Sequence, residues 1–191
     1  WASMENEWQA ATPGYPPHTP GTINLASLVA GSEGTLAVIS RAKVRLVPLQ
    51  GATVLAVLAY ASIEQACNQV PEILSFEPTA VELIPQNLIR LARSVPAYAS
   101  QLSFVGELTE DGADPKALLV VEFSGATPEE ARKRAKRLGA KIYMAESKEA
   151  QKRVWAVRKV GLGILMSSPG SKKPTAFIED MSVPVEKLGI F

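Results

Sequence analysis

A chain of 191 residues, 47% hydrophobic and 20% charged with a net charge of +1, has the profile of a globular protein able to bury a sizeable core. The near-neutral balance argues against a nucleic-acid partner, and the single cysteine, Cys67, excludes an intrachain disulfide and a cysteine cluster for zinc or iron and sulfur. Apolar runs such as Ala52 to Ala61 fall short of the roughly 20 residues a transmembrane helix needs, so no membrane span is expected; the expected location is cytoplasmic, at most peripheral to a membrane.

Residues 1 to 22 are rich in Pro, Gly and Thr, with Pro13, Pro16, Pro17 and Pro20 close together, which predicts a loop or extended arm. His18, the only histidine, sits in that arm and is expected to be an exposed loop residue. Ile23 to Val29 is a short apolar segment, and Gly31 to Thr35 reads as a turn. Leu36 to Ile39 then begins a predicted strand that resumes from Ala42 to Leu46 and is closed by Pro48 and Gly51, where a domain boundary is placed. Trp1 in place of methionine, and an end directly after a turn at Phe191, suggest a piece of a longer protein.

From Ala52 the pattern alternates strands and helices. Thr53 to Tyr60 is β-rich, and Ser62 with Gln65 three residues on predicts a capping box for a helix reaching about Leu74. Thr79 to Ile84 reads as a strand, and Gln86 to about Ser94 as a helix with Leu88, Ile89, Leu91 and Ala92 inward. After a strand over Leu118 to Phe123, Thr127, Pro128, Glu129 and Glu130 open a helix that stops near Gly139; its basic run of Arg132, Lys133, Arg134, Lys136 and Arg137 reads as a solvated face. Lys141 to Ala145 is a fourth strand, Lys148 to about Met166 a long helix, and Pro174 to Pro184 an extended segment. Such alternation by itself suggests a parallel doubly wound sheet, and a split β-α-β antiparallel sheet fits the same string.

Two features invite chemistry. The run Leu28 to Ile39 places Gly31, Ser32, Glu33, Gly34, Thr35 and Leu36 between apolar segments; backbone N–H groups there can approach a ligand without Cβ obstruction, though on spacing alone a plain tight turn is the readier account. Arg158, on a basic helix, offers a planar fork that matches a carboxylate, and a surface residue is the alternative. Glu179 and Asp180, neighbours in an extended segment, point to opposite faces and cannot form one paired-carboxylate site.

Gly31 to Leu36 followed by Val38, Ile39 and a strand ending at Val44 to Pro48 resembles the closing signature of the FAD-binding domain in the FAD-linked oxidase family, which includes D-lactate, glycolate and D-2-hydroxyglutarate dehydrogenases and alkyl-dihydroxyacetone-phosphate synthase within the vanillyl-alcohol oxidase fold. Three further blocks in the family's order carry the resemblance from about residue 14 to 188: Thr79 to Ile84, the tryptophan helix Val154 to Lys159, and Phe177 to Pro184. It implies an α+β architecture, with residues 1–50 as the C-terminal part of an FAD-binding domain and 51–191 as a truncated substrate domain built on a ferredoxin-like antiparallel sheet with packed helices. It also implies contacts to FAD from Gly31, Ser32, Glu33, Gly34, Thr35, Leu36, Val38 and Ile39, with Ala37 departing from the more usual glycine, and a substrate carboxylate held by Arg158.

The implied activity of the intact protein is oxidation of a small-molecule 2-hydroxy acid, such as D-lactate, glycolate or D-2-hydroxyglutarate, by hydride transfer to the flavin. The form is most similar to members fused to an iron–sulfur module, so an iron–sulfur domain or subunit is an expected electron acceptor. No catalytic residue or metal ligand is assigned: the general base and the family's metal-binding histidines are expected beyond Phe191. The family's diphosphate-binding loop is expected upstream, so this chain alone is expected to be inactive and free of flavin. A non-catalytic ferredoxin-like binding module, and a same-fold flavoenzyme with another substrate, are the competing readings.

Overall fold

The computed structural model describes residues 23–44, 46, 51–109, 112–139, 141–159 and 182–191. Two compact units divide the chain, Trp1–Pro48 and Leu49–Phe191.

In the first unit the apolar segment after residue 22 forms a short helix, α1 (Leu25–Ala30), because the Asn24 side chain accepts a hydrogen bond from the Ser27 amide at 3.1 Å and caps it. The strand expected from Leu36 to Ile39 and from Ala42 to Leu46 is not formed among the described residues; Arg45 lies outside them. The described side chains there are exposed, Val38 being 98% exposed. A strand exists only when a neighbouring strand takes its backbone N–H and C=O groups, and every ladder described lies within the second unit. The Pro-rich arm, with His18, lies outside the described residues.

The second unit is built on four strands: β1 (Ala52–Tyr60), β2 (Ala80–Pro85), β3 (Ala117–Gly125) and β4 (Tyr143–Ala145). Their order is β2-β3-β1-β4 and every neighbouring pair is antiparallel, the split β-α-β arrangement of a ferredoxin-like sheet. The fold is therefore α+β, and the parallel sheet that alternation alone would suggest is not formed. The helices are α2 (Ile63–Leu74), α3 (Gln86–Ser94), α4 (Pro96–Ala99), α5 (Pro128–Ala135) and α6 (Lys148–Lys159).

Helix starts follow the sequence closely. Ser62 Oγ accepts from the Gln65 amide at 3.0 Å, and Gln65 Oε1 accepts from the Ala61 amide at 3.2 Å, one residue ahead of the usual reciprocal bond. The start of α5 repeats the device, with Thr127 Oγ1 accepting from the Glu130 amide and Glu130 Oε2 from the Ala126 amide. Along α5 and the 3₁₀ turn that follows it, Lys136–Leu138, the basic run divides: Arg132 pairs with Glu146, Arg137 lies over the Phe76 ring at 4.9 Å, and Lys133 and Arg134 are exposed.

Both faces of the sheet are covered. Val54, Ala56, Leu119, Val121 and Phe123 pack under α2 and α5, meeting Ala66, Ile73, Ala131 and Ala135. Leu55, Val57, Ile84, Leu118 and Val120 pack under α3, α6 and a 3₁₀ segment, Ser100–Glu107, which buries Leu102, Phe104 and Val105. The 3₁₀ segment carries much of the second core, and its three-residue period is not one that an α-helical pattern search detects.

Candidate functional site

The glycine-rich bend follows directly from the end of α1. The Gly31 amide donates to Ser27 O at 3.0 Å and the Ser32 amide to Val29 O at 3.2 Å, closing the helix, while the Ser32 and Thr35 hydroxyls donate to Val29 O and Ser32 O at 2.8 and 2.6 Å. Glu33 (φ 49°) and Gly34 (φ 78°) then take consecutive left-handed conformations. Such a φ is strained for a side-chain-bearing residue, so glycine at 34 answers a backbone need, and nothing packs where its Cβ would stand. The amides of Glu33, Gly34 and Leu36 meet no hydrogen-bond partner among the described residues, and Gly31 and Glu33 to Ile39 are exposed. The bend is an open run of backbone donors, not a turn buried under its own side chains.

Arg158 is carried by α6, which crosses one face of the sheet. At its start Gln151 clamps β1: its Nε2 donates to Thr53 O at 2.7 Å and its Oε1 accepts from Thr53 Oγ1 at 3.0 Å. Val154 and Val157 are buried and Trp155 packs beside them on the same core, which is the inward face of the helix. One residue beyond Val157, Arg158 reaches β2 at the opposite edge of the sheet, donating from Nε to Glu82 Oε2 at 3.3 Å and from Nη2 to Glu82 Oε1 at 3.5 Å. The side chains are 50% and 36% exposed, so this ion pair adds at most about 1 kcal/mol to stability. The remaining N–H donors of Arg158, on Nη1 and Nη2, meet no partner among the described residues.

Glu82 was not among the residues the sequence singled out as functional. A signal was present: an acid between Val81 and Leu83, two residues from the buried Ile84 and hence on the same face of β2. Glu122 carries the same signal on β3, in step with Leu118 and Val120, and burial pushes its carboxyl above the usual carboxylate range. The expected site residues fall in both units: Gly31, Ser32, Glu33, Gly34, Thr35, Leu36, Val38 and Ile39 in the first, Arg158 in the second. A cleft of about 380 Å³ between the starts of α2 and α3, with Ser62, Asn87 and Lys116 on its walls, includes none of them. Glu179 and Asp180 lie outside the described residues, as do the expected continuation of α6 to Met166 and all of Pro174 to Pro184 except its last three residues.

Residues 49–191 match the family described as FAD linked oxidases, C-terminal domain. The chain belongs to this family. Among FAD-linked oxidase relatives, the D-2-hydroxyglutarate dehydrogenase of Pseudomonas putida is 28% identical over 185 residues, covering 88% of this chain and 18% of that protein. The D-2-hydroxyglutarate dehydrogenase of Haemophilus influenzae is 30% identical over 181 residues, covering 86% and 17%. The D-lactate dehydrogenase of Archaeoglobus fulgidus is 33% identical over 168 residues, covering 86% and 34%. The chain thus spans between 17% and 34% of the length of these relatives. Among the described residues no helix is long and apolar enough to cross a membrane, and no group of His, Cys, Asp and Glu is placed to hold a metal ion.

Proposed function

We propose that this chain is part of an FAD-dependent dehydrogenase that oxidises a D-2-hydroxy acid, with residues 1–50 closing the FAD-binding domain and 51–191 forming part of the substrate domain. The observation that carries the reading is the half-exposed guanidinium of Arg158, held at one edge and open at the other, on a helix fixed to the sheet. A carboxylate is the ligand such a fork fits best, and the relatives named above act on acids that carry one. The reading takes in D-lactate, glycolate and D-2-hydroxyglutarate, with an iron–sulfur domain or subunit as electron acceptor.

In the mechanism, Arg158 fixes the acid by its carboxylate and so orients the neighbouring α-carbon. The flavin, when bound, supplies the hydride acceptor. The residues of the bend fit that cofactor: the amides of Glu33, Gly34 and Leu36 are without a partner among the described residues, nothing packs where a Cβ of Gly34 would stand, and these amides could donate to ribityl or diphosphate oxygens, with Gly31, the hydroxyls of Ser32 and Thr35, and the exposed Val38 and Ile39 alongside.

Arg158→Lys in the full-length enzyme tests the reading. Lysine keeps the charge and loses the fork, so KM for the acid should rise about tenfold or more. Steady-state kinetics over D-lactate, glycolate and D-2-hydroxyglutarate measure it, and unchanged KM and kcat for the acid turned over fastest would refute the assignment.

A further inference from the structure

We infer that Glu82 is a positioning residue for the carboxylate anchor, holding the Arg158 guanidinium by one edge so that its other edge is presented to an incoming acid. The inference rests on the proposed role of Arg158 and deepens it.

A guanidinium carries five N–H donors in one plane. Glu82 engages it from the side, through Nε and Nη2, and so occupies two of the five. The three that remain, two on Nη1 and one on Nη2, face away from Glu82 and suffice for a second carboxylate approaching end-on. The two anions would then sit on different edges of the same cation. The contact is long for a charged pair, at 3.3 and 3.5 Å, and both partners are partly exposed, so its effect lies in direction more than in strength.

Both ends of the contact are themselves held. Glu82 stands on β2, in register with Val120 of β3 and next to the buried Ile84, so its backbone cannot drift. Arg158 follows the buried Val157 on a helix whose first turn Gln151 ties to Thr53. Between these fixed points lies only the flexible arginine stem, and Glu82 restricts its free end. Without that restriction, binding an acid would require the side chain to be ordered at the moment of binding.

The competing role for Glu82 is that of a resident carboxylate which an incoming acid must displace, and it predicts the opposite sign. The test uses the flavin-loaded full-length enzyme with Glu82→Gln, Arg158→Lys and the double variant. KM and kcat are measured on whichever of D-lactate, glycolate and D-2-hydroxyglutarate is turned over fastest. The dissociation constant of oxalate, which has carboxylates but no α-hydrogen to lose, is read from perturbation of the flavin absorption bands.

Glu82→Gln should raise KM and the oxalate dissociation constant about threefold to fivefold, leave kcat within about twofold, and add nothing in the Arg158→Lys background. A Glu82→Gln variant with unchanged or tighter oxalate binding, or with the same effect in both backgrounds, overturns the positioning role while Arg158 stands as the anchor. Arg158→Lys with wild-type KM, kcat and oxalate binding removes the anchor itself, and Glu82's role with it.

Discussion

Gly51 and Gly125 meet where β1 begins and β3 ends. A Cβ on Gly51 would stand 2.9 Å from Gly125 O, and one on Gly125 would stand 2.8 Å from Glu130 Cβ and 2.9 Å from the Ala131 amide nitrogen, so the start of α5 closes directly onto the strand end. The obstruction is largely backbone, which cannot step aside. Gly125→Ala should therefore destabilise the protein by about 1–3 kcal/mol, seen as a lower urea midpoint. At Glu122 burial raises the carboxyl, with the folded value above the unfolded one. Its favourable contribution is complete below the ordinary carboxylate range and is lost as pH rises through the folded value. Glu122→Gln should accordingly be more stable than the parent at pH 7, with the gap shrinking toward pH 4; urea titrations at both pH values measure it, and a gap that widens in acid contradicts the sign. Residues whose role is local were legible in the sequence: Ser62 with Gln65, and Thr127 with Glu130, could be read as caps because donor and acceptor lie three residues apart. The partnership of Glu82 with Arg158 joins residues 76 positions apart and could not.

At the scale of elements, α6 shows what a tertiary bond adds to a helix. Gln151 makes two bonds to Thr53 and a third, at 3.3 Å, to Glu146 O, tying the first turn to β1 across 98 residues of sequence. Gln151→Ala leaves Thr53 O without its side-chain donor, and a loss of about 1–2 kcal/mol in chemical denaturation is expected. All four strands of the second unit were legible from their apolar runs, although β4 covers only Tyr143–Ala145 of the expected Lys141 to Ala145. The segment from Leu36 to Leu46 has the composition of a strand, yet its described residues join no ladder. A strand is a relation between two segments, and composition describes one of them. The 3₁₀ segment at Ser100–Glu107 was missed for the opposite reason, since it packs into the core without helical periodicity.

For the molecule as a whole, the strand order β2-β3-β1-β4 was not legible from local pattern, because strands alternating with helices suit parallel and antiparallel sheets alike. The four family-like blocks decided for a ferredoxin-like antiparallel sheet. Of the candidate site, the bend and Arg158 could be picked out as residues, but not the edge from which Arg158 is held. Arg41 and Lys43, between α1 and β1, are exposed and in no ladder, so trypsin should cut after them before it cuts within β1 to β4, as mass spectrometry of early digestion products would reveal.

Finally, the sheet is roofed on both sides, by α2 and α5 above and by α3, α6 and the 3₁₀ segment below. Among the described residues a visiting molecule therefore finds no bare sheet face and meets the sheet at its margins, the edge strands β2 and β4. The contact of Glu82 with Arg158 lies at the β2 margin with both side chains partly exposed, so residues there can be exchanged without disturbing the interior.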